Sequence, residues 1–229
     1  SMLLVKKQET GALRRLSKGL FPFLLVVGTL AVLAALEPDL SVGLMFVLLM
    51  AIILFAGGVR IGHFIALGVM AIPVVWHELE RLTYVVRRIL AFLGTSDARA
   101  EISFQLQQSL VAVGTGGLFG VGFGEGRQQY GFLPYPYSDF IGSNVGEEWG
   151  FVGLTALTAA YALYTFLGFR IARQARTPFL RYVALGLTVV TALTAYLHIG
   201  VVIGLLPTTG MALPLVCAGR SNLGLSFLM

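Results

Sequence analysis

Four stretches of this chain run for 17 to 21 residues without a charged side chain: Gly19–Leu36, Leu40–Val59, Ile61–His77 and Trp149–Phe169. Each is close to the ~20 residues a helix needs to cross a hydrocarbon core of ~30 Å. Tyr182–Gly219 is equally free of charge, but Pro207, Gly210 and Pro214 interrupt it. It reads as one span to about Leu206 followed by a hairpin-like re-entrant or surface segment, because proline lacks an N–H and clashes with the preceding turn. Ser221–Met229 reads as the opening of a further helix. Helices buried in a soluble core are the competing explanation, and so many long windows in 229 residues argue against it. Hydrophobic residues make up 57% of the chain and charged ones 12%, about half the charge of a typical soluble protein. That is too little to cover a water-facing surface, which excludes disordered, nucleic-acid-coating and disulfide-framework classes. The single Cys217 cannot form an internal disulfide. The expected fold class is an all-α polytopic integral membrane protein with about five full transmembrane helices, the start of another, and a long extracytoplasmic loop.

Lys and Arg in short loops set the orientation. With the N-terminal segment cytoplasmic, that face holds Lys6, Lys7, Arg14, Arg15, Lys18, Arg60, Arg170, Arg173, Arg176 and Arg181, with Glu9 as its one acid. The organisation expected is a single membrane domain in three parts: 1–77 with the N-terminal segment and three spans, 78–148 as the extracytoplasmic loop carrying the site, and 149–229 with the last spans and the re-entrant segment. Because the chain opens on Ser1 and stops at Met229 inside an apolar run, we expect a piece of a longer membrane protein.

Polarity concentrates in residues 78–148, and chemistry is expected there. Leu79, Leu82, Val86, Ile89 and Leu93 recur at helical spacing with Arg81, Arg87 and Arg88 between them. Such a basic amphipathic helix lies at a membrane interface, either as an anchor or with Arg87 or Arg88 holding a lipid phosphate. Gln105, Gln107, Gln108 and Ser109, interleaved with Phe104, Leu106, Leu110, Val111 and Val113, suggest a second surface or re-entrant helix. Seven glycines then fall between Gly114 and Gly126, among them Gly116 and Gly117. They allow tight turns, or a nest of successive N–H groups that receives an anion. The spacing is not that of a dinucleotide-binding loop.

Pro134 and Pro136 exclude helix before Asp139, which stands beside Phe140 and Ile141. A carboxylate among apolar neighbours near a bilayer can act as a base or charge stabiliser, or simply cap a helix. Glu147 and Glu148 suit the N-terminal dipole of a span opening near Trp149. A metal site built from these acids has little support in the spacing. Glu37 and Asp39, flanking Pro38, either line a groove or end a helix. His63, His77 and His198 have no ligand spacing and read as packing or interfacial residues.

Several segments together resemble the FtsW/RodA/SpoVE family, across essentially the whole chain and over roughly the second half of that family's ten-span fold. They are E-P-D-L-S at Glu37–Ser41, R-R-I-L-A-F-L at Arg87–Leu93, Q-S-L-V-A-V-G-T-G-G-L-F-G-V-G-F-G at Gln108–Gly124, F-L-P-Y-P-Y-S-D-F-I at Phe132–Ile141, G-E-E-W-G-F-V-G at Gly146–Gly153 and I-G-V-V-I-G-L-L-P-T-T-G-M-A-L-P-L-V at Ile199–Val216. The P-T-T-G form leans toward the division branch. Two stretches depart from the family pattern. Tyr137-Ser138-Asp139-Phe140-Ile141-Gly142 stands where the family usually has H-T-D-F-I-F, and Cys217-Ala218-Gly219-Arg220-Ser221-Asn222 where it has S-Y-G-G-S-S.

The resemblance implies a peptidoglycan glycosyltransferase that polymerises lipid II, the undecaprenyl-diphosphate-linked disaccharide-pentapeptide, at the outer face of the bacterial cytoplasmic membrane. It implies a class B penicillin-binding protein and other division proteins as partners, and no nucleic acid. The family's catalytic aspartate falls on Asp139. Arg87, Arg88, Gln108, Ser109, Gly116, Gly117, Arg127, Glu37 and Asp39 are the substrate-binding candidates it brings forward. A divalent cation is allowed beside the diphosphate, no other cofactor is assigned, and no metal ligands are named. The alternatives are a lipid II flippase, which needs polar groups distributed through its spans, and a non-catalytic division scaffold.

Overall fold

The structure, a computed structural model, describes residues 2–9, 21–36, 40–65, 102–128 and 138–217. Among the described residues the chain is helical and has no strand. The helices are α1 (Met2–Glu9), α2 (Phe21–Leu36), α3 (Leu40–Ala56), α4 (Ile102–Gly116), α5 (Ile141–Gln174) and α6 (Pro178–Val202), and residues 61–65 are also helical. α5 and α6 are long and apolar enough to cross a membrane. Two compact units are distinguished: residues 1–80 with 166–190, and residues 81–165 with 191–229.

In the first unit α2 packs on α3. Its core gathers Leu4, Leu54, Val59 and Tyr182, with Phe23, Leu24, Met50 and Ile53 against them. The polar connection into α6 is made by Thr177. Its hydroxyl accepts the Leu180 N–H at 3.3 Å and Pro178 occupies the first helical position, where a missing N–H costs nothing. At Gly168 a Cβ would overlap the Thr188 side chain, so α5 and α6 approach closely there.

The second unit holds the candidate site. Its core is Tyr161, Ala195, Ile199 and Leu213, beside a smaller cluster of Phe140 and Val201. Here α5 differs from the span expected at Trp149–Phe169: it opens eight residues earlier, at Ile141, and closes five later, at Gln174. The physical reason lies in its first turns. Ser143, Asn144 and Glu147 are buried within protein, so charge and polarity there do not mark a membrane boundary. α5 therefore runs through the 148–149 division drawn from charge.

α6 ends at Val202, four residues short of the expected Leu206, in a glycine-terminated cap. Gly204 has φ +74°, its N–H donates to Val201 O, and Leu205 N–H donates to Gly200 O. The chain beyond it, through Pro207, Gly210 and Pro214, is non-helical. Tyr161 OH donates to Pro214 O and Leu213 is fully buried, which pins this segment to α5.

Candidate functional site

The glycine-rich segment after α4 and the start of α5 are built as one piece. α5 is broken at Gly150, whose φ of 65° and ψ of −158° lie outside the helical region and are open essentially to glycine alone. The break frees carbonyls before it and N–H groups after it, and the glycine segment satisfies both. Val121 N–H donates to Glu147 O at 3.0 Å and Gly122 N–H to Glu148 O at 3.2 Å. In return Phe151 N–H donates to Gly117 O at 2.9 Å and Val152 N–H to Leu118 O at 3.1 Å. Backbone meets backbone here: a Cβ on Gly120 would overlap the Glu148 carbonyl, and one on Gly116 the Gly146 carbonyl. Irregular backbone in a membrane protein persists where protein supplies its partners, as it does here.

Glu147 completes the closure. Its carboxylate is 3% exposed and accepts Arg127 N–H at 2.8 Å and Gln128 N–H at 3.2 and 3.3 Å. The anion received by these glycine-segment amides is thus the chain's own side chain. This part of the arrangement could have been suspected from the run of glycines, but nothing local in the sequence pairs it with Glu147.

A second polar knot joins α4, α5 and α6. Ser109 is fully buried, and its hydroxyl lies 2.7 Å from Ser143 Oγ and donates to Val202 O at 3.0 Å. A serine has one hydroxyl hydrogen, so Ser143 is the donor to Ser109. Val202 O is one of the carbonyls left open at the end of α6. His198, on α6, meets Gly142 N–H through Nε2 at 3.2 Å and Met211 O through Nδ1 at 2.8 Å. The reading of the histidines as packing or polar contacts has a concrete form at this one.

Asp139 stands two residues ahead of α5 and is half-buried. It lies across from the segment after α6: a Cβ on Gly210, where φ is +71°, would stand 3.8 Å from Asp139 Oδ2. It is also within electrostatic reach of His198. Unlike Glu147, it keeps an open side. Of the other expected site residues, Arg127 is exposed, Gln108 is half-buried on α4, Gly117 is exposed with its carbonyl engaged, and Gly116 and Ser109 are sealed in packing. Glu37, Asp39, Arg87 and Arg88 lie outside the described residues. Asp139, Gln108, Ser109, Gly116, Gly117 and Arg127 thus belong to one unit.

A cavity of about 490 Å³ opens on the neighbouring face of α5, lined by Phe123, Ile141, Asn144, Glu148, Trp149 and Leu157, with Phe123 and Trp149 edge to face at 6.3 Å. Asp139 does not line it. Among the described residues no group of three or more His, Cys, Asp and Glu side chains is arranged to hold a metal ion. Glu147 is spent on Arg127 and Gln128, and the described acids near α5 do not form a ligand set.

Comparison with known proteins agrees on one family. The model of the FtsW/RodA/SpoVE family, cell cycle proteins, matches residues 1–229. A probable peptidoglycan glycosyltransferase FtsW of Geobacter sulfurreducens is 36% identical over 218 residues, 95% of this chain and 58% of the relative. Its counterpart in Trichlorobacter lovleyi is 38% identical over 96% of this chain and 58% of the relative. Stage V sporulation protein E of Bacillus subtilis is 36% identical over 91% and 57%. The chain therefore spans a little under three-fifths of the length of these relatives. A solved structure concerned with the structural coordination of polymerization and crosslinking by a peptidoglycan synthase complex superposes with a TM-score of 0.72 at 25% identity, over 92% of this chain and 60% of the other.

Proposed function

Because the chain belongs to the FtsW/RodA/SpoVE family of polytopic membrane proteins, we propose that it carries the catalytic half of a peptidoglycan glycosyltransferase that polymerises lipid II during septal wall synthesis. The names of the relatives support the reaction class. One observation in the molecule carries the assignment of the base: Asp139, just ahead of α5, is half-open and faces a second backbone segment, at Gly210.

In this reading Asp139 takes the proton of the acceptor sugar's 4-hydroxyl as that oxygen attacks the donor's anomeric carbon. The C–O bond to undecaprenyl diphosphate breaks, the centre inverts, and no covalent glycosyl-enzyme forms. The departing diphosphate needs positive charge. Arg127 is exposed for this, and Arg87 and Arg88 are the further candidates; the amides of Val121, Gly122, Arg127 and Gln128 are already engaged by the chain. The active form works at the outer face of the cytoplasmic membrane with a class B penicillin-binding protein, as the resemblance implies.

The test uses the full-length protein with its penicillin-binding partner and labelled lipid II. Asp139→Ala abolishes glycan-chain formation while the protein still inserts. Chains formed at the parent rate by this variant overturn the assignment, and transbilayer movement of lipid II without polymer returns the flippase reading.

A further inference from the structure

One sealed titratable side chain of the second unit has no part in the proposed reaction. His198 is 1% exposed, and both of its ring nitrogens are spoken for. Gly142 N–H, one of the four N–H groups that the start of a helix leaves without an intrahelical acceptor, points at Nε2 from 3.2 Å. An N–H can only be met by a lone pair, so Nε2 is bare. Nδ1 faces the Met211 carbonyl at 2.8 Å and must carry the hydrogen. The ring is therefore the neutral Nδ1–H tautomer and is not free to exchange a proton with a bound sugar. What it does is mechanical: from α6 it ties the first turn of α5 to the segment after α6.

Those two tethers bracket Asp139. Gly142 follows it by three residues, and Met211 follows Gly210, which faces Asp139 Oδ2. We infer that His198 is a positioning residue, holding the Asp139 turn and the Gly210 segment at a fixed separation, and that Gly142 is matched to it. This rests on the proposed role of Asp139 and adds to it. The match is steric: a Cβ at residue 142 would stand 3.1 Å from His198 Nε2, 3.2 Å from Cδ2 and 3.2 Å from Val202 Cγ2. A Cβ there obliges the ring or Val202 to give by a few tenths of an ångström.

The experiment is a double-mutant cycle on the full-length protein, read by lipid II polymerisation with its partner and by thermal unfolding in detergent. His198→Ala lowers kcat by about 10- to 100-fold, the scale of a misplaced catalytic group, with KM unchanged. His198→Gln, whose amide oxygen reaches toward the Gly142 N–H, recovers most of the loss. Gly142→Ala lowers both kcat and the melting temperature in the parent, and costs little more once His198 is alanine. A parent-like kcat in His198→Ala, or a loss confined to KM or to melting temperature, overturns the positioning role. Equal cost of Gly142→Ala in the two backgrounds overturns the match. A parent protein that makes no polymer refutes the polymerase reading instead, and the melting temperatures still decide whether the two residues are coupled.

Discussion

Asp139 and Glu147 stand eight residues apart at the start of one helix, and the surroundings of each decide what it can do. Glu147 is sealed, with its oxygens taken by two backbone N–H groups of the glycine segment. It holds a loop shut. Asp139 lies half-open, opposed by a glycine that leaves room in front of its Oδ2. A carboxylate whose lone pairs are filled by its own backbone is a strut, while one with an open side has lone pairs left for a ligand. The two are told apart by their partners, not by the carboxylate they have in common.

Substitutions at four positions sharpen or break that contrast. The largest effect belongs to Asp139→Asn, which keeps shape and removes the base: polymerisation by the full-length protein falls by about 10²- to 10⁴-fold, with thermal unfolding unchanged. A large drop in melting temperature would make Asp139 a strut as well. Next is Gly120→Ala. At φ +83° with a carbonyl in the space a Cβ needs, it costs about 4 kcal/mol of stability, read as loss of the folded, monodisperse protein. Glu147→Ala strands the Arg127 and Gln128 N–H groups and costs about 3 kcal/mol, whereas Glu147→Gln, which retains one acceptor oxygen, costs about half that. Faster hydrogen exchange at Arg127 and Gln128 in both variants is the direct check, and unchanged exchange would refute the clamp. The smallest effect is that of Ser143→Ala. It removes the donor to Ser109 but leaves Ser109 bonded to Val202 O, so about 1 kcal/mol is lost, measurable as a small fall in melting temperature.

Much of the fold was legible because a bilayer tolerates few charges. The charge-free windows locate α2, α3 and the apolar parts of α5 and α6 within a few residues. The same rule failed at the start of α5. There Glu147 and Glu148 read as charges ahead of a span opening near Trp149; the helix does break at Gly150, but its turns from Ile141 are hidden by a charge that is buried and satisfied by backbone. For the site, the P-Y-S-D-F-I stretch singled out Asp139. The glycine run announced close backbone approach, which is met at Gly116 and Gly120, but not the partner it approaches. Ser109 was noticed as a polar residue on a helix; its use as a link between α4, α5 and α6 depends on Ser143 and Val202, 34 and 93 residues away. His198 carried no local signal at all, since its role exists only once Gly142 and Met211 are beside it.

By itself the sequence determined that this chain is rich in apolar helices, where several of them lie, and which short polar stretch to propose as the site, because hydropathy and residue chemistry are local properties. Only the tertiary structure decided which carboxylate is sealed and which is open, where α5 begins and breaks, and what His198 binds. Those outcomes depend on hydrogen-bond partners brought together from distant parts of the chain, and a partner is a property of the folded molecule, not of the residue that needs it.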